Sequence, residues 1–261
     1  MQGFGFPIQQ EHPILLTLWA DSYRHFRNNL RHATGYVAAS AVVAAVFRLA
    51  NVAVAAVIDK DAPPLWLPFF RLASLVWLAA GAALCAAAFF SMIGRQMDRP
   101  LWRCSGWQDG VRRFFLPWFI LNLCQIMVID MMIKVGEAGM HNVLPSLFML
   151  DLALQAFCLP VGVCVMYGGR LDWARLPESL EPIYRQFLLV IPVLFLGLGQ
   201  WLLIDLRGDL IATDAGLDIL WLGLYDAVLD GITCYAFIMM WRVCMLHRDR
   251  SMENHGNPFD F

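Results

Sequence analysis

The sequence predicts an all-α, polytopic membrane protein: six transmembrane helices in three hairpin units, with interfacial amphipathic helices and both termini cytoplasmic. Three observations predict it. Of 261 residues, 59% are hydrophobic and only 15% are charged, against roughly 45–50% and about 25% in a soluble domain. The apolar residues fall into six long runs without strand-like alternation, which favours helices over barrel strands. The basic residues cluster on alternate connections, as in a multi-span chain oriented by its cytoplasmic arginines. A formal charge of -2 gives no electrostatic case for nucleic acid.

The first segment, 1–33, carries Trp19, Tyr23, Phe26 and Leu30 at i, i+4, i+7 and i+11. That spacing makes one apolar stripe on a helix, and Arg24, Arg27 and Arg31 flank it, as in a helix lying at the membrane interface. The transmembrane domain, 34–246, follows with runs at 34–58, 72–93, 114–132, 143–167, 187–205 and 217–241. Each is close to the about 20 residues that cross a hydrocarbon core roughly 30 Å thick. The first run is too long for the apolar region of a cleavable leader and is expected to stay as an anchor. "DAPPLWLP" at 61–68 predicts a short, stiff turn anchored by Trp66. "GYVAASAVVAA" and "LAAGAALCAAA" are rich in small residues, which lets the first two spans approach closely. A polar tail, 247–261, is expected to lack regular structure beyond its first turn.

Orientation follows from the basic residues. On one side lie Arg24, Arg27 and Arg31, then Arg95, Arg99, Arg103, Arg112 and Arg113, then Arg170, Arg175 and Arg185, and finally Arg242, Arg248 and Arg250. The other side holds only Lys60, Arg71, Lys134 and Arg207, while Arg48 falls within a span. The first side is therefore the cytoplasm. Trp102, Trp107, Trp118, Trp173 and Trp241 are expected near that boundary as an aromatic belt. The seven cysteines (Cys85, Cys104, Cys124, Cys158, Cys164, Cys234 and Cys244) then lie within spans or on the reducing side, so no disulfide framework is expected.

A pattern recurs three times. The stripe spacing at Trp19 reappears at Trp107, Val111, Phe114 and Trp118, and again at Leu180, Tyr184, Phe187 and Ile191. Each time an arginine stands two residues before the phenylalanine: Arg24 before Phe26, Arg112 before Phe114, and Arg185 before Phe187. Arginine near a cytoplasmic span end is common in any case. Repetition nonetheless suggests three units in a pseudo-threefold bundle. "SYRHFRNNL", "WQDGVRRFF" and "ESLEPIYRQF", each leading into a span, resemble a group of six-span bacterial inner-membrane proteins. That group is similar to the membrane domain attached to some glycerophosphodiester phosphodiesterases. The resemblance implies the fold and a multi-pass place in the bacterial inner (plasma) membrane. It implies no activity, since the spans occupy the chain and leave no room for a catalytic module.

Polar residues inside the runs need a reason, because an ionisable group in lipid costs at least about 2.5–3.5 kcal/mol. They are Arg48 and Asn51, then Asn122, Gln125 and Asp130, then Asp151 and Gln155, then Gln200 and Asp205, and last Asp226 and Asp230. Arg48, Asn122, Gln125, Asp130, Asp151, Gln155, Asp226 and Asp230 are expected to form a layer from the midplane into the periplasmic half. Two readings of that layer stand. Arg48 pairs with Asp226, Asp230 or Asp151 and fixes helix order, or the layer lines a water-accessible pocket. Four carboxylates against one guanidinium favour some hydration or protonation. A further reading takes Asp130 and Asp151 out to the interface.

Other chemistries have weaker support. None of His12, His25, His32, His141, His247 and His255 lies within a run, so no haem or other cofactor is expected. Cys234, Met239, Met240 and Cys244 form a soft cluster open to Cu(I), but these are also ordinary packing residues, and no metal is expected. No nucleophile elbow, zinc-protease helix or phosphate loop occurs. "YDAVLDG" lacks the partner motif of an intramembrane aspartyl protease, and no catalytic residue is assigned. The expected function is a non-enzymatic accessory, assembly or scaffold subunit that contacts lipid and other membrane proteins or a second copy. The alternative is a small transporter or permease component that uses the Asp/Arg layer for proton- or cation-coupled movement.

Overall fold

The computed structural model describes residues 11–57, 64–97, 106–140, 142–169, 173–210 and 218–254. Among them no strand occurs. The helices are α1 (Glu11–Asn28), α2 (Leu30–Val57), α3 (Leu67–Met97), α4 (Trp107–Glu137), α5 (Leu144–Tyr167), the short α6 (Leu176–Ser179) and α7 (Glu181–Arg185), α8 (Phe187–Leu210) and α9 (Asp218–Asn254). Five of these, α2, α3, α4, α5 and α9, are long and apolar enough to cross a bilayer. The architecture is that of a multi-pass membrane protein. In α8 the apolar stretch is the shorter Phe187–Gln200.

Several expected boundaries move. The break between the first two helices falls at Asn29, before residue 34, because the Asn29 amide donates to the His25 carbonyl at 2.9 Å and so satisfies an orphaned acceptor at the end of α1. The second arginine–phenylalanine segment is the start of α4 itself, without a break. The third is interrupted at Gln186, between α7 and α8. At the other end α9 continues through 247–254, beyond the single turn expected of the tail. Residues 1–10 and 255–261, with Cys104 and Trp102, lie outside the described residues.

Consecutive long helices pack side by side, α2 on α3, α3 on α4, α4 on α5, α5 on α8 and α8 on α9, and α9 returns to α2 to close the ring. Small residues permit the tightest approaches. A Cβ on Gly81 would stand 2.5 Å from Val43, and one on Gly35 2.6 Å from Phe89, so α2 and α3 meet through the small-residue stripes. Gly110 lets α4 close on Ser91 and the Ala87 carbonyl of α3.

The core is concentrated at one end of the ring. Phe90, Ile93, Phe114, Met166, Val190, Phe237 and Trp241 are fully buried there, stacked around rings at 4.3 Å (Phe90–Phe237), 4.8 Å (Tyr36–Phe90) and 5.4 Å (Phe90–Trp118). Trp118 and Trp241 belong to this core and not to an aromatic belt; only Trp107 of the described belt side chains is exposed. At the opposite end Leu49, Val52, Leu72, Trp77, Ile133 and Phe148 are exposed, as apolar side chains facing lipid are.

Trp118 lies against Gly162, where an added Cβ would come within 2.6 Å of its ring. Gly162→Val is therefore expected to destabilise the bundle by about 1–3 kcal/mol through overpacking. Gly199→Val, with nothing within 4 Å, is expected to change little. The midpoint of thermal unfolding in detergent compares the two.

The first helix packs along α9 by the face beside the expected stripe. Phe26 meets Tyr235 edge-on at 5.8 Å, and Arg242 donates to Asp21 at 3.0 Å. Leu18, Ser22 and Asn29 are buried, whereas Trp19, Tyr23 and Leu30 are exposed. α9 takes the neighbouring face, where small Ser22 allows close contact, and leaves these three stripe residues outside the bundle.

Candidate functional site: an amide-lined cavity

Where the dense core gives way to the looser end, the ring forms a partly open cavity of about 150 Å³. All six long helices contribute to it: Tyr36 from α2, Ala82, Ala86 and Phe90 from α3, Trp118, Leu121, Asn122 and Gln125 from α4, Gln155, Cys158 and Leu159 from α5, Gln200 from α8 and Thr233 from α9. Tyr36, Phe90 and Trp118 form its base against the core. The Trp118 indole is fixed there by donation of its N–H to the Met166 sulfur at 2.9 Å.

Four amides line the walls, and their environments differ. Asn122 donates to the Trp118 carbonyl one turn back at 2.7 Å. Gln200 donates both to the Thr233 hydroxyl at 2.6 Å and to the Leu229 carbonyl at 2.7 Å, which ties α8 to α9. Its position follows from Gly197, one turn earlier, where a Cβ would come within 2.9 Å of the Gln155 carbonyl. Gln125 and Gln155 line the cavity without a side-chain hydrogen bond to any described residue. Amide groups inside a bilayer demand hydrogen-bonding partners. These two therefore provide donors and acceptors for a polar molecule within the cavity.

The ionisable residues divide into separate groups. Arg48 of α2 pairs with Asp226 of α9, with the two side chains 34% and 16% exposed. One turn along α9, Asp230 lies close to Ser40 and Tyr36 of α2 and to Cys85 of α3. Arg48, Asp226 and Asp230 thus converge at the α2–α9 seam, behind the Tyr36 wall of the cavity. Asp130 does not join them: it pairs with Lys134 of its own helix at 2.5 Å, because the i,i+4 spacing puts a cation within reach near the end of α4. Asp151 is buried on α5 and is not the partner of Arg48. The expected single layer is therefore an ion-pair seam beside a neutral amide cavity. No carboxylate, arginine or lysine is among the described residues that line the cavity. The Asp205 side chain lies outside the described residues.

The repeated arginines and phenylalanines also occupy unlike places. Phe114 is buried in the core, Phe26 is half-buried against α9, and Phe187 is exposed. Arg24 pairs with Asp21 at 3.7 Å and Arg185 with Glu181 at 2.5 Å, while Arg112 is exposed.

Two features escaped the sequence reading. Thr233 stands on the same face of α9 as Asp226 and Asp230, at i+7 and i+3, a spacing that could have linked it to Gln200. Cys164 and Cys244 are buried with their sulfurs 3.7 Å apart; their separation along the chain left no signal. The soft cluster on α9 thus contacts α5 through Cys244, and its members are buried core residues.

No family model, curated protein or solved structure matches this chain.

Proposed function

We propose that the chain is a six-span bacterial inner-membrane protein, with α8 as the remaining span and both termini cytoplasmic, that works as a small transporter or permease component. The observation that carries this reading is the convergence of Gln125 and Gln155 on a cavity reached by all six long helices. The cationic connections orient the dense end toward the cytoplasm, so the looser half faces the periplasm. An apolar cavity of about 150 Å³ takes a benzene ring, so a solute of roughly six non-hydrogen atoms fits. The lining selects an uncharged solute rich in hydrogen-bonding groups, because the described residues there offer amides and hydroxyls and no charged side chain to neutralise an ion. Asp230, behind Tyr36, is the group that exchanges a proton or cation during movement, and Arg48 holds Asp226 in place.

The test uses the full chain in proteoliposomes, with urea and glycerol as probes followed by stopped-flow osmotic reswelling. Reswelling is expected to exceed that of protein-free vesicles. Asp230→Asn is expected to preserve downhill entry and abolish accumulation driven by a proton gradient. Equal rates with and without protein would reject transport.

The second reading is the accessory, assembly or scaffold subunit. It is favoured by α2, whose most apolar window contains no buried residue, leaving a full helix face to lipid, another membrane protein or a second copy. It predicts no flux and a co-purifying partner that survives Asp230→Asn. The resemblance to phosphodiesterase membrane domains fits either reading.

A further inference from the structure

A second recess lies away from the cavity, where the amino-terminal end of α8 meets α1 and the end of α9. Its volume is about 200 Å³, and its lining includes Leu15, Tyr184, Arg185, Phe187, Leu188 and Arg250. We propose that this recess binds the phosphate of an anionic phospholipid, with the lipid chains lying over the exposed Phe187 and Leu188.

Three features support that occupant. First, the position is amphipathic along α8: the arginine and tyrosine precede the apolar stretch Phe187–Gln200, and the exposed Phe187 and Leu188 begin it. A headgroup and the start of its acyl chains have this order across a membrane boundary. Second, the two arginines are held in place with donors to spare. Arg250 donates one N–H to the Gln186 side-chain oxygen at 2.7 Å, and Arg185 uses its Nε toward Glu181 at 2.5 Å. A guanidinium has five N–H donors in a fixed fork suited to phosphate oxygens, so each bond orients an arginine without exhausting it. Third, the recess is built from three chain segments, with Leu15 of α1 closing one side. A lipid bound there would also fasten α1 against α8 and α9. Basic recesses between helices near the membrane surface bind lipid headgroups by this combination of charge and apolar floor.

The experiment compares lipid retention by the purified full chain, using native mass spectrometry after exchange into equal mixtures of phosphatidylglycerol and phosphatidylcholine. Wild type is expected to retain phosphatidylglycerol preferentially. Arg250→Gln and Arg185→Gln are each expected to lower that preference about fivefold, the effect of one interfacial arginine. Arg250→Lys keeps the charge and is expected to keep most of the preference. Circular dichroism and elution volume verify that each variant is folded, and Arg250, exposed near the end of α9, provides a variant away from the core. Equal retention of the two lipids by wild type would overturn the proposal, as would an undiminished preference in the folded Arg185→Gln/Arg250→Gln protein. Displacement of phosphatidylglycerol by millimolar inorganic phosphate would assign the recess to free phosphate and likewise overturn it.

Discussion

Arg48→Leu is expected to destabilise the protein by about 3 kcal/mol, and adding Asp226→Leu is expected to recover most of that loss. Removing one partner of a desolvated ion pair costs about 3–5 kcal/mol because the other charge is left behind. The Arg48 side chain is 34% exposed, which places the effect at the lower end. Replacing both partners by leucine removes the abandoned charge and leaves an apolar seam between α2 and α9, where such exchanges are often neutral. Unfolding of the purified chain in detergent, measured on the full double-mutant cycle, checks this. Arg48→Leu combined with Asp230→Leu supplies the contrast: the guanidinium pairs with Asp226 and not with Asp230, so little recovery is expected. Strictly additive losses in the Arg48/Asp226 cycle would mean that the pair does not couple the two helices.

Gln155→Leu is expected to act in the opposite sense on function and stability. Leucine is close to glutamine in volume but offers no hydrogen bond. Losing one such bond to a bound solute costs about 1–3 kcal/mol, so entry of urea or glycerol should fall at least about fivefold. Stability should hold or rise, because Gln155 makes no side-chain hydrogen bond to any described residue and an amide in the bilayer is costly without one. The same double signature is expected for Gln125→Leu. Gln200→Leu should instead lose stability as well, since Gln200 holds Thr233 and the Leu229 carbonyl across two helices. Loss of flux accompanied by equal destabilisation at all three positions would make the amides structural.

Much of the membrane architecture was legible in the sequence because apolar run length directly reflects bilayer thickness. The close contact of α2 with α3 was legible for a related reason: Gly35 and Gly81 are the positions where a side chain would collide. The contact of α1 with α9 was not legible, because periodicity identifies an apolar face without naming what packs beside it. On α1 the deciding residues are small Ser22 and Leu18, fitted to α9, and the larger Trp19 and Tyr23 remain outside.

The polar layer was legible as a set of residues and not as an arrangement. Position within the runs put Asp130, Asp226 and Gln155 in one layer from the midplane into the periplasmic half. Depth does not give rotation about the helix axis, and rotation separates the Arg48–Asp226 seam from the neutral cavity. Lys134 also lies one turn from Asp130, so a local partner was available before any distant one. The pairing of Cys164 with Cys244 had no local trace, since it depends on the ring closing through α5 and α9.

The most direct test concerns what the Gln125 and Gln155 amides touch. The full chain, labelled with ¹⁵N-glutamine and placed in lipid nanodiscs, allows their side-chain NH₂ signals to be assigned by the two leucine variants. Magnetisation transfer to water and to added glycerol, and none to lipid acyl chains, is the expected result. Transfer to acyl protons alone would show amides turned out into lipid and would contradict a polar cavity at the centre of the bundle.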